Sequence, residues 1–232
     1  MVTHPTGSVT ARPDGPLVAT HPSSCWQCNA ETAPELFCSA CDAIKPLPAQ
    51  VDYFDVMGLP RRLALDEEAL RARYYQLSRR LHPDRYQTSP ERARAASLVN
   101  TAVLNRAYRT LRDPVERGLY WLTVHGESIS RNNKQVPPEL AELVFDIQEK
   151  LQELRAVRGA EAAADLRRDL EAEQGVLLTR RGALMQRLQD TFVAWDTGAR
   201  PAEALLRELK QILSEIAYVR TLSRDMAREL EH

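Results

Sequence analysis

Asp66-Glu-Glu-Ala-Leu-Arg-Ala-Arg-Tyr-Tyr-Gln-Leu-Ser-Arg-Arg-Leu-His-Pro-Asp84 reads as an amphipathic helix brought to a deliberate stop. Asp66 is the residue type that caps a helix N-terminus, and Glu67 and Glu68 fall where the helix dipole favours anions. Leu70, Tyr74, Leu77 and Leu81 step by 4, 3 and 4 residues, which gives one apolar stripe to bury. Pro83 disfavours helical geometry at His82, so the chain must turn there. A second basic, alanine-rich helix is expected from Pro90, a proline of the N1 type, through Leu111.

Working outward, Asp52-Tyr-Phe-Asp-Val-Met57 predicts a short aromatic-faced helix that Gly58 can cap. Asp113-Pro114 punctuates the other side before a short segment ending near Val124. Gly126 to Val136 is polar and irregular, and Pro137-Pro138 then opens three amphipathic helices at about 138–158, 161–196 and 201–231. Their stripes are Leu140, Val144, Ile147, Leu151 and Leu154; Leu166, Leu170, Leu177, Leu184, Leu188 and Phe192; and Leu205, Leu209, Ile212, Ile216, Val219, Met226 and Leu230. A three-helix bundle buries all three.

Among 232 residues, 31 basic and 32 acidic side chains nearly cancel, which argues against a dedicated nucleic-acid or membrane-surface binder. The imbalance is local: residues 67–118 carry 11 Arg against 6 acids, and residues 137–158 carry 5 acids against 3 bases. Only 9 Gly and long Leu/Ala/Glu/Arg segments predict a nearly all-α protein. With no secretory-type N-terminus and no apolar run of the ~20 residues that spans a bilayer, a cytoplasmic protein is expected. Residues 1–22 lack any apolar period and are expected to be a disordered tail. Lys45-Pro-Leu-Pro48 reads as a stiff linker.

Cys25-Trp-Gln-Cys28 and Cys38-Ser-Ala-Cys41 form two C-x2-C pairs nine residues apart. Each pair can aim two thiolates at one ion from a tight turn, and together they complete a closed tetrahedral site of the structural zinc type. Two disulfides are the alternative, set against a reducing compartment and a segment too small to fold unaided. A thioredoxin-like role lacks its βαβ setting. An iron–sulfur cluster on the same four thiolates stays open.

His82-Pro83-Asp84 between two basic helices resembles the J-domain, whose loop prompts a DnaK-type chaperone to hydrolyse ATP. Thr110-Leu-Arg-Asp-Pro-Val-Glu-Arg-Gly-Leu-Tyr-Trp-Leu-Thr-Val-His-Gly126 is similar to the segment closing the J-domain of HscB, the iron–sulfur assembly co-chaperone. The order of parts matches too, and the tetracysteine segment resembles an N-terminal extension found in a subset of that family. The resemblance therefore implies a zinc module and linker at 23–48, a J-domain at 51–126 and a client-binding three-helix bundle at 137–232. It implies that Asp84 meets an Arg of a DnaK/HscA-type ATPase while His82 and Pro83 shape the loop. Arg71, Tyr74, Arg79, Arg80 and Arg85 would furnish the positive face toward that acidic partner, mainly steering encounter and orientation.

At ~100° per residue, Phe145 points roughly 140° away from the core stripe of its helix, and Tyr218 about 130° from its own. Glu149 shares the side of Phe145, and Asp146 lies at its margin. In an up-down-up bundle the two aromatics fall within roughly 8 Å in height. By resemblance, Phe145, Asp146, Glu149 and Tyr218 would grip an IscU-type scaffold protein.

These features point to an adaptor with no catalytic group of its own: no Ser-His-Asp or Cys-His grouping and no phosphate-cradling glycine loop is present. A J-protein serving another client is the main alternative. A zinc-ribbon nucleic-acid binder is disfavoured because residues 23–44 contain no Lys or Arg. The oligomeric state is left open by the sequence.

Overall fold

The computed structural model describes residues 23–32, 35–48, 51–129, 136, 138–157 and 160–231; the expected tail at 1–22 lies outside them. Two antiparallel two-residue strands, β1 (Ser23–Ser24) and β2 (Glu31–Thr32), precede helices α1 (Tyr53–Met57), α2 (Glu67–Leu81), α3 (Glu91–Arg112) and α4 (Pro114–Val124). Then come α5 (Ala141–Ala156), α6 (Ala160–Asp196) and α7 (Ala202–Leu230). No helix among the described residues is long and apolar enough to cross a membrane.

Local chemistry sets the helix ends. Asp52, Asp66 and Asp113 each accept hydrogen bonds from the first backbone amides of α1, α2 and α4. Gly58 ends α1 in the left-handed conformation, φ 62°, which glycine adopts without strain. Pro90 is the capping residue of α3 and not its first helical one, because it sits in extended backbone at ψ 148°.

The α2 stripe Leu70, Leu77 and Leu81 packs against α1 and α3 with Phe54, Leu104 and Leu111. Phe54 also meets Trp121 of α4 edge-on at 5.6 Å. In the bundle α5 and α7 both pack on α6, running opposite to it. Leu170, Leu177 and Leu184 recur every seven residues along α6, the spacing of a left-handed coiled-coil seam.

The sequence stripe of α7 is too narrow: Leu213, Glu215 and Leu222 are buried as well. Two neighbours account for the excess, since α7 is covered by α6 on one side and by α4 on another. Gly118 of α4 lies under Leu209 and Leu213, where an added Cβ would stand 3.1 Å from Leu213 Cδ1. Asp196, the last residue of α6, accepts the backbone N–H groups of Leu63 (2.9 Å) and Ala64 (2.8 Å). Arg117 is 2% exposed, donates to the Leu111 carbonyl at 2.9 Å and lies over the Phe192 ring at 5.2 Å. One apolar core thus runs from the segment around Phe37 and Ile44 through α1–α4 into the bundle.

Candidate functional site

The His82-Pro83-Asp84 corner follows α2 directly, with Pro83–Tyr86 forming one 3-10 turn. His82 Nδ1 lies 3.4 Å from the Asp84 backbone nitrogen, whose N–H it accepts, and 3.4 Å from Asp84 Oδ2. The His82 and Asp84 side chains are 56% and 73% exposed, so an incoming protein can reach both. Hydroxyls brace the corner from behind and from its flank. Ser97 Oγ and Thr101 Oγ1 donate to the Leu81 carbonyl at 2.6 and 3.2 Å, and the Tyr86 hydroxyl donates to the Arg80 carbonyl at 3.0 Å. These donors satisfy carbonyls that the end of α2 leaves open. In the sequence the only signal of Ser97 and Thr101 is that they are small polar residues on the buried side of an alanine-rich helix.

The basic residues divide. Arg71, Tyr75 and Arg79 are spaced by four, fall within an arc of about 80° on α2, and are exposed. Arg85 is exposed on the 3-10 turn beside them. Arg80 departs from that face, lying ~100° beyond Arg79. Its Nη2 pairs with Asp42 Oδ1 at 2.6 Å, and its guanidinium sits 3.8 Å from the centroid of the Phe37 ring. Tyr74 is half-buried, stacked on Tyr108 at 4.1 Å with its hydroxyl donating to Asn105 Oδ1 at 2.9 Å. It buttresses α2 against α3 more than it offers itself outward.

The four cysteines converge. All are free thiols, and their Sγ atoms lie within 4.8 Å of one another. Cys25–Cys41 and Cys28–Cys38 are both 3.7 Å apart. A tetrahedral ion with metal–sulfur bonds of about 2.3 Å places its sulfurs roughly 3.8 Å apart, so the set fits a single metal ion. Two copies of one turn build it. Cys25 N–H donates to Ala30 O and Asn29 N–H to Cys25 O; Cys38 N–H donates to Ala43 O and Asp42 N–H to Cys38 O. Asn29 (φ 59°) and Asp42 (φ 58°) occupy matching left-handed positions, which short Asx side chains tolerate.

Backbone N–H groups of Cys28 and Gln27 lower the Cys25 thiol to about 6. The Ala43 amide favours ionisation of Cys41 as well, yet burial and the neighbouring thiols push it up to about 12. Thiolates this close need a cation between them before all four can ionise.

The module sits against the corner helices. Asn100, fully buried in α3, donates to the Lys45 carbonyl at 2.7 Å and accepts the Leu47 N–H at 3.2 Å. Arg92 stands over the Trp26 ring at 5.8 Å, and Trp26 Nε1 donates to the Ile44 carbonyl at 2.7 Å.

In the bundle, three ion pairs fix the register: Lys150–Glu173 at 2.9 Å, Arg155–Glu229 at 2.5 Å and Arg180–Glu215 at 2.5 Å. Counting from them brings Phe145 and Tyr218 to the same level within about one helical turn, ~5 Å. Phe145 is 68% exposed, and Asp146 and Glu149 are exposed on the same helix. Tyr218 is half-buried at the edge of the widened α7 stripe, and that burial raises its phenol above the ordinary tyrosine value.

Residues 52–120 match the family model of the DnaJ domain. The chain is 28% identical over 131 residues to the iron–sulfur cluster co-chaperone protein HscB homolog of Arabidopsis thaliana, covering 56% of this chain and 52% of that protein. It therefore spans about half the length of the curated relative it matches. The crystal structure of human co-chaperone HscB superposes with a TM-score of 0.65 at 25% identity, covering 89% of this chain and 98% of that one. Chaperone HscB from Vibrio cholerae gives 0.48 at 27% identity, over 75% and 99%.

Proposed function

We propose that this chain, a J-domain protein of the HscB type, is a co-chaperone of iron–sulfur cluster assembly that brings a scaffold protein to a DnaK/HscA-type ATPase and triggers ATP hydrolysis there. The observation that carries the reading is the His82-Pro83-Asp84 corner, exposed at its functional atoms and braced from behind by Ser97, Thr101 and Tyr86. In this reading Asp84 engages the ATPase directly, while Arg71, Arg79 and Arg85 steer its acidic surface. At the other end Phe145, Asp146, Glu149 and Tyr218 hold an IscU-type scaffold, an exposed aromatic with acids around it being suited to a partner surface. Joining both ends through one core raises the effective concentration of client at the chaperone.

Cys25, Cys28, Cys38 and Cys41 hold zinc in a closed structural site. Single-ion sulfur spacing favours zinc over a multi-iron cluster, and four ligands leave no position open for catalysis. A metal there supplies the cohesion that so short a segment lacks.

Steady-state ATPase of the cognate chaperone, with and without scaffold, tests the reading. His82→Gln is expected to abolish stimulation at every concentration, and Tyr218→Ala to weaken only the scaffold-dependent part. Equal effects of the two changes, or stimulation surviving His82→Gln, would overturn it.

A further inference from the structure

The tetracysteine module touches the J-domain at Arg80, an arginine just ahead of the trigger. Asp42 directly follows the metal ligand Cys41, and its left-handed backbone belongs to the ligand turn itself, closed by Asp42 N–H to Cys38 O at 2.9 Å. From that turn its carboxylate reaches Arg80, two residues before His82, while Phe37, which pairs with Ile44 across the Cys38–Cys41 turn, lies under the guanidinium. Tyr86, the last residue of the trigger turn, bonds the Arg80 carbonyl. Arg80 is thus held on its side chain by the module and on its backbone by the corner.

Resting on the reading of the corner as an ATPase trigger, we propose that the metal-loaded module is a clamp that withholds Arg80 from the acidic partner, so that metal occupancy sets how many arginines flank the trigger. With the metal in place Asp42 competes with the partner's carboxylates for Arg80. Without it, the ligand turn keeps only its two backbone hydrogen bonds and a small buried cluster of Cys25, Cys38 and Ala43 with Trp26 and Cys41 against it, so its loop loosens around Asp42. The Arg80 guanidinium is then free to meet the partner's carboxylates from its own side of α2. The ion pair is half open to water, with side chains 44% and 79% exposed, so the competition is on the scale of a surface pair and reversible.

The test uses the full chain. Asp42→Asn removes the charge and keeps a residue at ease with positive φ. It is expected to lower the co-chaperone concentration that half-saturates the ATPase by about two- to fivefold, the worth of one surface ion pair. Adding Arg80→Ala to it should cancel the gain. Stripping the metal with a chelator, release being followed by a metallochromic dye, should speed amide exchange across Arg80–Tyr86. An Asp42→Asn protein no tighter than wild type, a gain that survives Arg80→Ala, or exchange at 80–86 indifferent to metal would each overturn the clamp. His82→Gln run alongside separates the two ideas: if the unmodified protein stimulates no ATPase, the trigger reading fails, while exchange and metal release still decide whether the module holds Arg80.

Discussion

Arg180→Ala and Glu215→Gln are expected to destabilise the bundle unequally, although they remove the same ion pair. The Glu215 side chain is 2% exposed and receives Arg180 Nε at 2.8 Å and Nη2 at 2.5 Å, whereas the Arg180 side chain keeps 36% of its surface in water. Deleting Arg180 leaves a carboxylate sealed between α6 and α7 with its cation gone; breaking a fully buried pair in this way costs about 3–5 kcal/mol. Because the arginine end is partly wet, the cost falls below that range, at about 2–3 kcal/mol. Glu215→Gln keeps the shape and one acceptor oxygen, and Arg180 can turn to solvent, so its cost should stay under about 1 kcal/mol. At about 2–4 °C per kcal/mol for a chain of this length, thermal unfolding followed by far-UV circular dichroism should fall by roughly 4–12 °C for Arg180→Ala and by under about 4 °C for Glu215→Gln. Equal losses, or a larger loss for Glu215→Gln, would refute the claim that the burden lies on the buried carboxylate. This pair sets the level of Tyr218, so under the proposed reading the asymmetry reaches the surface assigned to the scaffold.

Two further predictions concern the joints. Gly118→Val should cost about 1–3 kcal/mol by pressing methyl groups into Leu213 and Leu209, read by thermal unfolding; a variant as stable as the parent would mean that α4 and α7 are not in close contact. For the metal-free module, the Cys25 thiol lowered from 9.0 to about 6 makes the unfolded chain bind more protons between those values. Stability should therefore rise with pH across that window, and acidification through about 6 should return protons to the thiol and favour metal loss, seen as a change in Trp26 emission. A metal-free module whose stability is flat from pH 6 to 9 would contradict the Cys25 assignment.

Much of the fold was legible because it is written in short-range chemistry. Asp52, Asp66, Asp113 and Gly58 act on amides and carbonyls within a few residues, and the Leu70–Leu77–Leu81 and Leu170–Leu177–Leu184 stripes repeat at helical spacing. What stayed hidden depends on partners far along the chain. Nothing around Arg80 announces Asp42, 38 residues away, so the sequence placed it with Arg71 and Arg79 on one cationic face. Arg117 looks like a surface charge until Leu111 and Phe192 close over it. The α7 stripe read too narrow because periodicity reports one neighbour, and α7 has two. For the cysteines the spacing shows that four sulfurs can meet, and the fold sets them at single-ion separation.

The seal at Asp196 bears on how such a protein can be re-engineered. Its carboxylate closes over Leu63 and Ala64, between α1 and α2, at the spot where Gly118 and Arg117 tuck beneath bundle side chains. A four-helix unit with a His-Pro-Asp corner borrowed from a different protein would arrive with its own loop there, leaving a stranded carboxylate and a gap under Leu213. Chimaeras cut at the connector should accordingly behave as beads on a string, whereas those that carry Leu63, Ala64, Arg117 and Gly118 along should keep the bearing between corner and bundle.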